Sequence, residues 1–460
     1  MTLQRGRCYR AEMMSFANSA QSGRIMRHVL AGLVIVVMII ALVIIPWQVG
    51  KETEGIYRNQ VAQLNARGID ARVTSYDRGL YHSTATAAAT YRGHRLKFTS
   101  HIGHGPFILW GQNASASPVL AAISTTMELP PELESLVTNN SKTPLAVRGV
   151  VNLNGTIDVS GRVAPFAAQF GPEHQPIECG GGKWKAAISA TRLRWNATVA
   201  QLRVSGRMGA STLGKTELTG DMTRDSSGMW LGTAEFTSSE YIGANTLAIP
   251  DRGVMPVSID AHNLRIAIHD WRDGSTVRLQ DDISADHADL SGVEARAIAL
   301  TFGLDNIDPA ALEKWIDATR PVIEAAAAPA ARAGILANRA MALLMALSKD
   351  EPKASAGLSF VTGFGAVDAK LNASLSPQMA GDPAFKDAQA SPDNWKLLAE
   401  TYLAGSGNLK LPAIAGALLS DPITQGNLVD EGFFTDEGDS IVTSANYAGG
   451  HLSISGRQIF

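Results

Sequence analysis

Between Arg27-His28 and Lys51 the chain carries no charged residue. From Val29 to Gly50 it consists of Val, Leu, Ile, Met, Ala and Gly, broken only by Pro46, Trp47 and Gln48. About twenty apolar residues at ~1.5 Å rise cross a ~30 Å hydrocarbon core, whereas the apolar region of a cleaved signal needs only about 7–15. Pro46, Trp47 and Gln48 occupy the place where a small-x-small cleavage pattern would lie. The spacing therefore predicts a retained anchor over residues 29–49. Residues 1–28 carry five arginines against Glu12, a net +4, which leaves −7 for the rest of a chain whose formal charge is −3. A basic flank on one side places residues 1–28 in the cytoplasm as a basic arm and residues 50–460 outside it, and Trp47 suits the membrane interface. Met26-Arg27-His28 would itself make a normal short basic flank.

The same charge balance gives no basic patch, so nucleic acid is not an expected partner. With 45% hydrophobic residues the chain is not disordered. Its two cysteines, Cys8 and Cys179, fall on opposite sides of the expected anchor, which excludes a disulfide between them.

Beyond Lys51, Thr53, Ile56, Tyr57, Val61 and Leu64 fit a helix leading away from the membrane, with Gly68 placed to end it. After that the period falls to two. Apolar residues alternate with polar ones at Leu145–Val159, Leu193–Val199, Val257–Ala261, Leu264–Ile268, Ile298–Leu304, Val367–Leu375 and Leu452–Ile454. One polar face marks antiparallel pairing, because parallel strands are covered on both faces. Asn154-Gly155, Asp273-Gly274, Ser291-Gly292 and Asp225–Gly228 read as turns between strands. An Ala-rich helical block interrupts the sheet. Asp308-Pro309 starts it, Arg320-Pro321 and Pro329 break it, and Ala331–Leu347 continues it. Ser391-Pro392 begins a further helix expected to end near Gly405, and residues 349–357 and 376–391 read as loose connections. The expected fold is α+β: an N-terminal transmembrane helix, then a large, mainly antiparallel β-sheet structure with the inserted Ala-rich helical block, in one domain over residues 50–460.

Ser75-Tyr76-Asp77-Arg78-Gly79-Leu80-Tyr81-His82-Ser83 resembles the Ser-Tyr-x-Arg-Gly-(apolar)-(apolar)-x-Ser signature of the bacterial YdgA-like family, which is classed as a domain of unknown function. His104-Gly105-Pro106-Phe107 resembles that family's His-Gly-Pro-Phe turn, and Leu304–Leu312 its passage from strand to helix. Tyr447, Gly450 and Gly456 look like its closing hairpin, with Ser455 standing where the pattern has Asn. The resemblance implies a single-pass inner-membrane protein of the Gram-negative envelope, mostly periplasmic, with no assigned chemistry. The residues preceding Met26 depart from it. Read physically, Arg78-Gly79 suits a hairpin or bulge in which Gly supplies a positive φ and Arg caps a carbonyl, and Gly105-Pro106 suits a tight turn. These motif residues are read as fixing backbone, and none is assigned as catalytic.

His82, His94, His101 and His104 form the one histidine cluster, but their spacing matches no zinc motif. The acidic stretches Asp281–Asp289 and Asp430–Asp439 lack the Ca²⁺-loop pattern and read as solvated loops. Gly180-Gly181-Gly182-Lys183 fails as a phosphate loop because Trp184 stands where Ser or Thr must meet magnesium. No cofactor or metal is called for. The expected function is a non-enzymatic envelope binding or scaffold protein, with a lipid, an envelope protein or a second copy of the chain as partner. The alternative is an envelope hydrolase or metal-dependent enzyme using the His82–His104 region.

Overall fold

The computed structural model describes residues 45–459 except 67–69, 92–93, 106–107, 109–117, 129–143, 171–174, 207–208, 250–252, 291, 325–328, 386–390, 415–428 and 430. The basic arm, Cys8, Gly68 and residues 29–44 of the expected anchor lie outside the described residues. The last anchor residues open helix α1 (Ile45–Ala66). Among the described residues no helix is long and apolar enough to cross a membrane.

The chain falls into two compact units, residues 1–135 with 140–162, and residues 136–139 with 163–460. In the first, α1 is followed by an antiparallel meander of β1 (Asp70–Arg78), β2 (His82–Tyr91), β3 (His94–His104), β4 (Val119–Glu128) and β5 (Leu145–Asn152). Strand β6 (Ile157–Val163) runs up to the boundary. The second unit continues with β7 (Phe166–Phe170), β8 (Gln175–Cys179), β9 (Gly182–Ile188), β10 (Arg192–Val199), β11 (Leu202–Gly206), β12 (Gly209–Leu213) and β13 (Thr216–Arg224). These feed the long strands β14 (Trp230–Ile249), β15 (Gly253–Asp273), β16 (Thr276–Leu290) and β17 (Val293–Ile307). Helices α2 (Pro309–Glu324) and α3 (Pro329–Leu347) come next, then β18 (Lys353–Thr362), β19 (Gly365–Leu375), α4 (Pro392–Tyr402) and β20 (Leu403–Pro412). The chain closes with β21 (Thr435–Asp436), β22 (Ser440–Ala448), β23 (His451–Ile454) and β24 (Arg457–Gln458). From β13 to β20 each strand pairs antiparallel with the next, and β22 adds to β20.

Strand accounts for 62% of the described residues and helix for 22%, so the fold is mainly antiparallel β and the α+β expectation is corrected. The physical reason lies in strand length. Val257–Ala261 and Leu264–Ile268 read as separate strands, yet both belong to β15, 21 residues long. The break between them is Asn263, whose φ of 52° needs no turn because Asn tolerates the left-handed region. The acidic Asp281–Asp289 stretch is likewise interior to β16 rather than a loop. Residues 353–357, part of the 349–357 stretch that reads as loose, pair along β18, and residues 377–385 form two 3₁₀ turns that bury Met379 and Phe385.

The helices are short and local. Asp308 caps α2 by accepting from the Ala310 N–H at 2.9 Å, and Ser391 caps α4 by accepting from the Asn394 N–H at 3.1 Å. Pro321 does not end α2, which runs on to Glu324. Proline there costs the helix a bond only in its last turn. Helix α4 stops at Tyr402 rather than near Gly405, because β20 takes over the backbone pairing at Leu403. Leu343 and Leu347 of α3 and Leu312 of α2 pack on Leu231, Val277 and Ile307. Met341, Met379, Phe385 and Leu398 close over Leu375.

The β13–β14 loop is pinned by Asp225. It accepts from the Ser227 N–H (2.9 Å), the Ser227 hydroxyl (2.6 Å) and the Met229 N–H (3.1 Å), and from Arg272 on β15 (3.0 Å). Burial works to raise its pKa, but the bonds from Ser227 and Arg272 outweigh it and hold the carboxyl at about 2. A depressed acid stabilises the fold above its unfolded pKa and loses that contribution as pH falls through the folded value. Asp225→Asn is expected to cost about 1 kcal/mol at pH 7 by denaturant titration, with the deficit vanishing between pH 4 and pH 2.

Candidate functional site: a sealed serine–histidine pair and an apolar sheet face

The first unit gathers the early motif residues under α1. In a strand, successive side chains point to opposite faces, so register decides who meets whom. Ala71 and Val73 of β1 lie opposite Ala89 and Ala87, but the register shifts between Val73 and Ser75, and Tyr76 and Arg78 then lie opposite Ala85 and Ser83. The bulge carries odd-numbered residues before it and even-numbered ones after it onto the same face. Thr74 and Ser75 tie it to Thr86 through bonds of 3.0 Å each. On β3 the pairing puts Ile102 and Ser100 on that face, and His104 continues it, its N–H donating to Tyr81 O at 2.7 Å.

Helix α1 covers this face with residues at helical spacing. Pro46 and Gly50 are buried, and Thr53 and Tyr57 follow. Gly50 makes room for a close approach, since a Cβ there would lie 3.2 Å from His104 Nε2, tighter than ordinary contact. The His104 imidazole is 0% exposed and Ser83 2% exposed, with Ser83 Oγ 2.8 Å from His104 Nε2. His104 Nδ1 is buried without a hydrogen-bond partner. Burial first, then the charges of His82 and Arg78, push the His104 pKa down to about 4. The ring is thus neutral at pH 7; with its proton on Nε2 it donates to Ser83 and leaves Nδ1 as a lone acceptor. Alongside, Tyr57 Oη meets Ser100 Oγ at 3.3 Å and Ser100 meets Thr125 Oγ1 at 2.9 Å. Glu54 pairs with Arg58 (3.0 Å) and Arg78 (3.7 Å), and Arg58 sits 5.9 Å over the Tyr76 ring. The Tyr76 hydroxyl is buried with no hydrogen bond of good geometry, and burial above all raises its pKa.

Several sequence expectations meet this geometry. Ser75, Tyr76, Arg78, Gly79, Ser83, His104 and Gly105 do come together at one end of the meander. Pro106 and Phe107 lie outside the described residues. Gly79 is needed not for a positive φ but because a Cβ there would approach His82 O to 2.5 Å. Arg78 pairs with Glu54 rather than capping a carbonyl. Gly105 admits no Cβ at all, 1.7 Å from Val119 O. His82 and His101 share the opposite face of the pleat from His104, so the pleat divides the cluster; of the His94 side chain nothing is described. Tyr447, Gly450 and Gly456 belong to the closing hairpins of the second unit, where Gly450 (φ 78°) and Gly456 (φ 82°) take the left-handed turn positions.

The second unit presents a larger feature that no motif announced. Phe236, Ile266, Ile283, Leu300, Leu358, Ala369 and Leu409 stand in one register row from β14 to β20. The next row on the same face holds Ile268, Asp281, Phe302, Ala356 and Leu371, and the one after it Asp270, Leu279 and Leu304. The intervening rows are mostly polar, with Glu235, Asp282, Thr301, Lys370 and Asn408 in one of them. Helices α2 to α4 cover the apolar face at the end marked by Val277, Ile307 and Leu375. Farther along, Phe302 (44% exposed), Leu304 (43%) and Leu371 (58%) remain open. Asp270 and Asp281 sit diagonally on this face. Burial first, then the charge of Asp281, raise the Asp270 pKa to about 6.

Two pH effects follow. His104 has a depressed pKa, so its contribution is present above about pH 6.5 and is lost as pH falls toward 4, worth roughly 2–3 kcal/mol for a fully buried ring. Acid unfolding of the wild type should show this loss, and His104→Gln should be less stable at pH 7 yet nearly flat over that window; a parallel slope in both proteins would refute the assignment. Asp270 has a raised pKa, so its favourable contribution is full below about pH 4 and lost as pH rises through 6. Being half-exposed, it is screened, and Asp270→Asn is expected to gain only about 1 kcal/mol at pH 8, with the gain closing below pH 5.

No curated protein and no solved structure matches the chain. A family model described as "Bacterial protein of unknown function (DUF945)" matches residues 26–460, opening at Met26, where the short basic flank of the uncharged run begins. With nearly the whole chain matched, from the sealed Ser83–His104 pair through the long apolar-faced sheet to the closing hairpins, the protein belongs to the DUF945 family of bacterial proteins of unknown function.

Proposed function

We propose that this chain is a non-enzymatic binding protein of the bacterial envelope, of the YdgA-like kind, whose second unit takes lipid acyl chains on its open apolar sheet face. One observation carries the reading: Phe302, Leu304 and Leu371 lie on the largely apolar face of β14 to β20, which only Asp281 and Asp270 interrupt in their rows, yet each is more than two-fifths exposed. A contiguous apolar patch of this kind on a protein surface marks an interaction site. The face is strand-built, and the carboxylates of Asp270 and Asp281 place polar groups among its apolar side chains, as an amphiphile requires.

The envelope location is supported by the sequence: the uncharged run after a +4 arm suits a single pass through the inner membrane, with residues 50–460 in the periplasm. A protein held at a bilayer has acyl chains within reach. The alternative, catalysis in the His82–His104 region, has less support, because Ser83 and His104 are sealed from solvent and no carboxylate orients Nδ1. Their pairing ties the start of β2 to the end of β3 beneath α1.

The test is photocrosslinking of the full-length protein in membranes carrying a diazirine-labelled fatty acyl lipid, with the labelled residues mapped by mass spectrometry. Labelling is expected on β16 to β19, and Phe302→Asp with Leu371→Asp should cut it at least about tenfold, the equivalent of ~1.4 kcal/mol. Labelling confined to residues before Lys51 would sink the proposal.

A further inference from the structure

The structure assigns a divalent transition-metal site, of the zinc class, to Glu240 on β14 and Asp260 and His262 on β15. Asp260 and His262 are two apart in one strand and so share a face, and Glu240 lies directly opposite His262 in the antiparallel pair. Side chains directly opposite on one face stand about 4.5–5.5 Å apart at Cβ, close enough for all three to reach a common point. They do so here: one carboxylate oxygen from each acid and one ring nitrogen of His262 lie within 4.8 Å of one another.

The closest pair is already at coordination spacing. His262 Nε2 is 3.2 Å from Asp260 Oδ1, and donors bound to one ion at about 2.0–2.2 Å stand roughly 3.0–3.5 Å apart. Asp260 Oδ1 is itself sealed from solvent and makes no hydrogen bond of good geometry, so an ion would satisfy an oxygen that water does not reach. The donor chemistry narrows the ion. One imidazole with two carboxylates suits zinc and its neighbours, whereas magnesium and calcium take oxygen alone. Three protein ligands leave a position open to water or to another donor. His287 lies opposite His262 on β16 with its ring centroid 5.9 Å away, and its Nδ1 faces Glu294 at 3.5 Å.

Two strands fix the site without a motif. Glu240 is twenty-two residues from His262 in a hairpin whose turn lies far from both, so only the register joins them. The set is independent of the acyl-binding reading and shares no residue with it.

The full-length protein, stripped with EDTA and dialysed, is to be titrated with zinc chloride against a chromogenic chelator. One zinc per chain is expected to bind, with affinity at least about tenfold weaker in His262→Ala and in Asp260→Asn. Glu240→Gln, an isosteric change, provides the same readout should His262→Ala fail to fold. His451→Ala, on β23, should bind as the wild type does. Absence of stoichiometric zinc in the wild type overturns the assignment, as does a folded set of site variants that binds zinc with unchanged affinity.

Discussion

Antiparallel pairing of each strand with the next from β13 to β20 is the constraint on which the second unit depends. Each strand supplies the backbone partners of the next, so the side chains of eight strands fall into common rows. Once the rows are common, one slip of register would move every apolar side chain to the polar face. The tight turns at Gly274 and Gly292, both at positive φ, fix that register between the longest strands. The apolar field, the Asp270–Asp281 diagonal and the Glu240–Asp260–His262 set are all products of the same alignment.

The first unit solves a different problem. A meander with an Ala-rich inner face lets a helix approach closely, and Ala85, Ala87 and Ala89 are buried under it. Gly50 and the Ser83–His104 pair then fill the narrow space left. The β1 bulge is what makes the motif work, because it turns Tyr76 and Arg78 toward α1, where Glu54, Tyr57 and Arg58 meet them. A signature that begins Ser-Tyr-x-Arg-Gly thus encodes a change of face followed by a turn too tight for a side chain.

Much of this was legible in residue order. Alternation found Leu193–Val199 as β10 and Val367–Leu375 as β19, and the Asp308-Pro309 and Ser391-Pro392 pairs marked true helix starts. The helices were weighted too heavily because caps are local and easy to see, whereas strand length depends on a distant partner. Asn263 looked like a boundary since nothing in sequence shows that β14 and β16 hold the backbone on both sides of it. His104 stands in sequence as one of four clustered histidines; only the fold buries it and sets it apart from His82 and His101.

The sequence by itself determined the uncharged run, the antiparallel character of the chain beyond it and the motif residues at 75–83 and 104–105, because each rests on local chemistry or on a period of two or 3.6. The tertiary structure alone decided which faces meet. Hydrogen-bonded register, set by turns and bulges, separated His104 from His82 and His101, left Phe302 and Leu371 open, and brought Glu240 to His262. Those pairings join residues tens of positions apart, and no local pattern carries a register across that distance.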